Sequence, residues 1–228
     1  MSWVTPVPKA ARLHSRVKCL TKLVQNADSV PRRRFANLGG FRQILSGTEE
    51  NTLLCKSQHG FCKGRSCLTN LLEFFEGVNK HVDKGDPVDI VYLDFQKAFD
   101  KVPHQRLLCK LSCHGIRGKI LSWIENWLKH WEQRVGINGK FSERRRGVTS
   151  GVPQGSVLGL ILFNLFINDL EKGVNSEVAK FADDTKLLEI VKTKADCEEL
   201  QKDLTKLSDW ATKWQMKFNV DKCQVMHI

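Results

Sequence analysis

Apolar residues recur at helical spacing in "SCLTNLLEFFEGVNKHV" (66–82), where Leu68, Leu71, Leu72, Phe75, Val78 and Val82 form one stripe. "GDP" at 85–87 ends that helix. "VDIVYLDF" (88–95) is β-rich and almost continuously apolar, the pattern of a central strand covered on both faces. "KAFDKVPHQRLLCKLSCHGI" (97–116) starts helically, breaks at Pro103 and resumes to a stop at Gly115. "KILSWIENWLKHW" (119–131) predicts a second amphipathic helix. "QRVGINGKFSERRRGV" (133–148) predicts a hairpin turning at Asn138 and Gly139. A Gly/Pro loop, "SGVPQGS" (150–156), opens onto "VLGLILFNLFIN" (157–168), a buried helix too short to span a bilayer. Two alternating runs then flank "FADD" (181–184), predicting a hairpin with acids at its tip. A long amphipathic helix over 194–216 and a final strand over 217–228 complete the reading. This mixture argues for an α+β fold, an antiparallel sheet backed by helices.

The 228 residues allow one large domain or two small ones. A net charge of +11 is placed unevenly. Residues 101–150 hold eleven Lys/Arg against three Asp/Glu, and residues 151–200 hold five against nine. A basic bulk around an acidic stretch suits a protein that holds a polyanion while keeping carboxylates for cations. A solvated basic surface is the plainer alternative. The first twenty residues have no apolar core of a secretory signal, so an intracellular chain, nuclear or cytoplasmic, with free thiols is expected for the eight cysteines. Cys109, Cys113 and His114 lack a second ligand pair, and on a helix the two cysteines are one turn apart.

Asp94, at the end of the buried strand, changes the picture. A carboxylate there is costly unless its charge is compensated. A strand-end Asp94 and a hairpin-tip Asp183 can sit side by side in one sheet, and neighbouring carboxylates repel unless cations lie between them. Mg²⁺ takes hard oxygen ligands and completes its shell with substrate phosphates. Two such ions stabilise both the attacking and the leaving oxygen of a phosphoryl transfer. The alternative is a structural acid pair with Lys97 or Lys180 as counter-ion.

"VYLDFQKAFDKVPH", "SGVPQGSVLGLILFNLFINDL" and "KFADDTKL" stand in this order. Together they resemble the palm motifs of reverse transcriptases, specifically those of non-LTR retrotransposons of the jockey and chicken-repeat type. "QHGFCKGRSCLTNL" (58–71) is similar to the segment before that palm, and "WQMKFNVDKCQVMHI" (214–228) to the segment after the acidic hairpin. The resemblance implies a right-hand polymerase palm of split βαβ type with partial fingers and no thumb. It implies an RNA-directed DNA polymerase using two Mg²⁺ ions, with Mn²⁺ as a possible substitute. The implied partners are an RNA template, a DNA primer and dNTPs, with no membrane. Asp94, Asp183 and Asp184 stand where the family keeps its metal-binding carboxylates, with the Phe95 backbone beside them. Phe99 stands at the aromatic gate that excludes a ribose 2′-OH. Gln154 and Gly155 correspond to the loop lining nucleotide and template, and Lys222 to a lysine that aids pyrophosphate departure. Lys63 and Arg65 fall near the template path, and Arg144–Arg146 could meet backbone phosphate. Ordinary packing for Phe99, a loop-to-helix connection for Gln154 and Gly155, and solvated surface for the basic residues are the alternatives.

The resemblance covers residues 58–228, read as fingers remnant and palm. Residues 1–57 form a basic segment without the family's arginine-bearing fingers hairpin. Leu160 occupies a position where a proline is expected, and the chain stops at Ile228, before a primer grip and thumb. A truncated polymerase, weak or inactive alone, is therefore expected. The competing readings are a non-catalytic nucleic-acid-binding remnant of a mobile element and, ranked lower, a two-metal nuclease. An RNA-dependent RNA polymerase fits poorly with an aromatic gate.

Overall fold

The computed structural model describes residues 53–129 and 147–228 and, between them, the backbone of four short strand segments. The expectations for residues 1–52 and for the Arg144–Arg146 side chains lie outside the described residues. Helix α1 (Cys67–Val82) begins at Ser66, whose hydroxyl accepts from the Thr69 amide while the Thr69 side chain reaches back to the Ser66 amide. Such a reciprocal cap satisfies two donors that a helix start leaves open. Strand β1 (Val88–Leu93) follows.

Proline breaks the next segment as its missing N–H requires. A 3-10 turn (Phe99–Lys101) precedes Pro103, and α2 (His104–Cys113) follows it. Helix α3 (Gly118–Lys129) leads to four two-residue strands, β2 (Glu132–Gln133), β3 (Gly136–Ile137), β4 (Lys140–Phe141) and β5 (Arg146–Gly147). Ile137 pairs with Lys140, and the expected turn at Asn138 and Gly139 lies outside the described residues. Helix α4 (Val157–Phe166) is buried along most of its length. Strands β6 (Glu177–Phe181) and β7 (Asp184–Ile190), helix α5 (Lys194–Trp214) and strand β8 (Gln224–His227) complete the chain.

The main sheet has the order β6-β7-β1-β8, and every pairing in it is antiparallel. Alternation along β1 explains its nearly continuous apolar sequence. Val88 and Ile90 face α1, packing with Phe74, Val78 and Leu188. Val91 faces the other way, into the larger core built by α2–α5 with Leu107, Ile124, Phe163, Leu187 and Leu207. Each fully buried aliphatic side chain of this kind contributes about 1.5–3 kcal/mol.

The final strand is shorter than the sequence predicts. Alternation over 217–228 is interrupted by a 3-10 turn at Val220–Lys222, and only Gln224–His227 joins the sheet. Phe218 instead stacks on Phe95, with ring centroids 4.4 Å apart, and the Asn219 amide donates to the Asp94 carbonyl at 2.8 Å. The chain is thereby pinned beside β1 before it turns.

Candidate functional site

The antiparallel register places the acids at one edge of the sheet. Leu93 pairs with Thr185, so Asp94 leaves β1 beside the point where Asp184 enters β7. Phe181 pairs with Asp184, making Ala182 and Asp183 the two turn residues. Asp184 is thus the first residue of the strand, and Asp183 alone of the pair lies in the turn. Ala182 has φ +55°, the sign a type II′ hairpin needs at its first turn position.

One cleft of about 450 Å³ is lined by Asp94, Phe95, Phe99, Gln154, Gly155, Asp183, Asp184 and Lys222. Eight of the ten residues singled out from the sequence therefore converge from four separate segments. Lys63 and Arg65 do not line it. Lys63 is exposed on the loop before α1. The Arg65 guanidinium donates to the backbone carbonyls of Lys56 and, at 2.8 Å, Gln58.

The counter-ion of Asp94 differs from the two lysines considered above. Lys222 Nζ lies 3.1 Å from Asp94 Oδ2. Lys180 is fully buried and faces Glu171 at 3.2 Å, while Lys97 lines the cleft wall. Lys186, on β7 two residues past Asp184, is held below the usual lysine range by burial, opposed by Cys67 and Asp184. Among the described residues, no three His, Cys, Asp or Glu side chains form a ready-made metal cluster. The donor set nevertheless suits a hard divalent cation, because three carboxylates line one open cleft and the ammonium paired with Asp94 is on the half-exposed Lys222.

Phe99 is fixed in place. Its ring stacks on buried Phe163 at 4.1 Å, and Phe61 meets it edge-on at 6.4 Å. The Phe95 ring is turned into the core, so only its backbone is available to the cleft.

The loop that carries Gln154 and Gly155 is strapped to the segment that carries Phe99. Val152 N–H donates to the Phe99 carbonyl, and Gly151 N–H to the Val102 carbonyl, each at 2.8 Å. The Ser150 hydroxyl donates to the Asp100 carbonyl at 3.0 Å. His104 Nε2–H donates to the Gly151 carbonyl at 2.8 Å, which fixes the proton on that nitrogen. Gly151 has φ +93°, and a Cβ there would stand 2.7 Å from the Asp100 carbonyl oxygen. Beyond the loop, the Ser156 hydroxyl accepts from the Gly159 amide at 3.0 Å and caps α4. Two further clefts, of about 520 and 760 Å³, share His104, Leu128 and Gly147–Ser150 and carry Lys97, Lys101, Arg106 and Lys129 on their walls.

Sequence reasoning missed Phe61 and His104. The signal for Phe61 was its position in a loop between Gly60 and Gly64. For His104 it was a polar residue directly after the helix-breaking proline. Neither signal names a partner.

The family profile described as reverse transcriptase (RNA-dependent DNA polymerase) matches residues 10–227, starting well upstream of the motif-bearing segment that opens at residue 58. The chain is 30% identical over 201 residues to the RNA-directed DNA polymerase from mobile element jockey of Drosophila funebris, covering 79% of this chain and 20% of that protein. It is 29% identical over 185 residues to the probable RNA-directed DNA polymerase from transposon BS of Drosophila melanogaster, covering 76% of this chain and 20% of that one. The chain thus spans a fifth of the length of these two relatives. Among solved structures, telomerase from Candida tropicalis in complex with a fragment of telomeric RNA superposes with a TM-score of 0.61 at 12% identity, covering 82% of this chain and 33% of that one. The fold is that of a right-hand polymerase, with the antiparallel sheet and its helices forming the palm. No helix among the described residues is long and apolar enough to cross a membrane.

Proposed function

The chain belongs to the reverse transcriptase family, and from that premise we propose that its cleft extends a DNA primer along an RNA template by metal-dependent nucleotidyl transfer. One observation carries this reading: eight motif residues from four segments line a single cleft. Asp94 and Asp183, with Asp184 beside them, would hold the cations, two Mg²⁺ in this reading. Bound there, such ions supply charge neutralisation at the attacking 3′-oxygen and at the triphosphate.

The chain's own residues position the reactants. Phe99 presents a ring that Phe163 prevents from turning aside, so a 2′-hydroxyl at that wall meets a fixed obstacle. Gln154 and Gly155 line the same cleft, and Gly155 reaches φ +83°, a conformation open to glycine. The Lys222 ammonium, 3.1 Å from Asp94, would aid a departing pyrophosphate in this reading. Lys63 offers a phosphate contact on the template side, and Arg65 serves that path through the loop it holds. The basic walls of the neighbouring clefts suit the sugar-phosphate backbone. Residues 58–228 are read as palm with part of the fingers, and residues 1–57 as a basic segment of unassigned role, which the family match enters from residue 10.

The test is primer extension by the 228-residue chain on an RNA template with dNTPs and Mg²⁺, beside Asp183→Asn. For a chain expected to be weak at best alone, the expected result is low incorporation that needs divalent cation and disappears in Asp183→Asn. The variant should remain folded, because removing one of several neighbouring carboxylates relieves repulsion. Salt-sensitive RNA binding with neither incorporation nor an Asp183-dependent divalent-cation site would leave a nucleic-acid-binding domain and refute the polymerase reading.

A further inference from the structure

The turn that carries Asp183 is strained. Ala182 is buried, and its φ of +55° lies in the left-handed region. An L-residue other than glycine held there costs on the order of 1 kcal/mol. Such a conformation persists only when its surroundings impose it.

A single side chain, 124 residues away in sequence, does so. Gln58 is buried, at 1% exposure. Its Oε1 accepts from the Ala182 amide at 2.8 Å, and its Nε2 donates to the Ala182 carbonyl at 3.2 Å. The same Oε1 accepts from the Gly60 amide at 2.8 Å. Both backbone polar groups of the strained residue are therefore held by one planar carboxamide. Glutamate lacks the donor, and asparagine is one carbon shorter.

The surroundings fix the clamp in turn. A Cβ on Gly60 would stand 2.2 Å from the Ala182 nitrogen, so only glycine lets the loop approach this closely. Lys180 N–H donates to the Ser57 carbonyl at 2.8 Å, and His59 N–H to the Lys180 carbonyl at 2.9 Å, docking the loop along β6. Buried Asn164, on α4, donates to the Gly60 carbonyl at 2.7 Å. The loop thus braces the acidic hairpin against the helix that follows Gln154 and Gly155.

We propose that Gln58 is a positioning residue: its carboxamide holds Ala182 in the left-handed conformation and so aims the Asp183 carboxylate into the cleft. This rests on the reading of Asp183 as a cation ligand. The alternative is that Gln58 merely fills and satisfies a buried loop.

The test uses the full 228-residue chain and two readouts: Mn²⁺ affinity by electron paramagnetic resonance, and hydrogen exchange of the Ala182 amide. Gln58→Met keeps length and loses both hydrogen-bonding functions. It should weaken Mn²⁺ binding by about tenfold or more, as loss of a group supporting a metal ligand does, and speed Ala182 exchange by a similar factor. Adding Ala182→Gly to Gln58→Met should restore at least half of the lost affinity on a logarithmic scale, because glycine adopts positive φ without strain. A filler role predicts no such recovery. Should Gln58→Met fail to fold, Gln58→Glu keeps the acceptor and shape but loses the donor to the Ala182 carbonyl, and should lie between wild type and the loss. Unchanged affinity and exchange in a folded variant, or a loss that Ala182→Gly does not relieve, overturns the proposal. If wild type itself binds no Mn²⁺, the cation-site reading fails, and amide exchange alone decides the clamp.

Discussion

Replacing Lys222 by methionine should tighten divalent-cation binding while slowing turnover. The Lys222 ammonium lies 3.1 Å from Asp94 Oδ2, in the space a cation approaching that carboxylate would enter. The pair must open before Asp94 can serve as a ligand. The lysine side chain is 53% exposed and that of Asp94 20%, so the pair sits near the surface. Exposed ion pairs are worth about 0.2–1 kcal/mol. Opening one before the cation binds therefore weakens binding by up to about fivefold, given RT of about 0.6 kcal/mol. Lys222→Met removes that competition, and the Mn²⁺ dissociation constant should fall by about two- to fivefold at low salt. The gain should shrink near 1 M salt, where the screening length is only about 3 Å. Single-nucleotide extension should move the opposite way, falling by about a hundredfold if the ammonium assists the departing pyrophosphate, as general acids do. Electron paramagnetic resonance reads the first quantity and rapid-quench extension the second. Weaker Mn²⁺ binding in Lys222→Met at every salt concentration would refute the competition, and an unchanged extension rate would remove Lys222 from the reaction.

Phe99→Val should admit ribonucleotides, read as a fall in the dNTP-over-NTP ratio of kcat/KM. It should also lower the Tm, because the ring stacked on Phe163 at 4.1 Å is lost; unchanged sugar selection in a folded variant would show that another residue selects the nucleotide. Lys110 is buried among the rings of Phe166, Trp210 and Trp214, with Nζ 3.9 Å from the Trp214 centroid, and burial lowers its pKa from 10.5 to about 8. The unfolded chain then binds more protons at this group between about pH 8 and 10.5, so wild-type stability should rise across that window relative to Lys110→Met. Urea midpoints of the two proteins from pH 7 to 10 check this, and a difference that stays flat with pH would show that the buried ammonium carries no penalty.

Periodicity made the elements legible because each reports a face. The nearly continuous run in β1 announces two covered faces, and the structure covers both. The stripe read in α1 is corrected by the structure: Phe74 and Val78 pack on the sheet, while Leu68, Leu72, Phe75 and Val82 are exposed. Asp94 was legible for the converse reason, a charge where the pattern demands burial. The same logic overran at the C-terminus. Alternation continues through Phe218, Val220 and Lys222, but Phe218 is held by stacking on Phe95 and Asn219 by the Asp94 carbonyl. The backbone must then turn, and that turn brings Lys222 onto Asp94. A repeat of two residues carries no information about such a turn.

The contacts that orient the site have no period at all. His104 to Gly151, Gln58 to Ala182 and Asn164 to Gly60 each join a side chain to a backbone group across 47, 124 and 104 residues. What the sequence holds of the first and the last is one half of the pair, a glycine, and Gly60 also abuts Ala182. Gly60 and Gly151 are both places where a Cβ would strike another backbone, at 2.2 and 2.7 Å. A glycine inside a motif reads as a close approach of unspecified origin, and its partner lies wherever the topology brings it. For this chain that partner is the acidic hairpin at Gly60 and the segment bearing Phe99 at Gly151. The two glycines therefore mark the joints between the carboxylates, the aromatic gate and the Gln154 loop. Substituting alanine at either should disturb the mutual placement of those groups before it disturbs the strands that carry them, because β1, β6 and β7 are held by their own ladders.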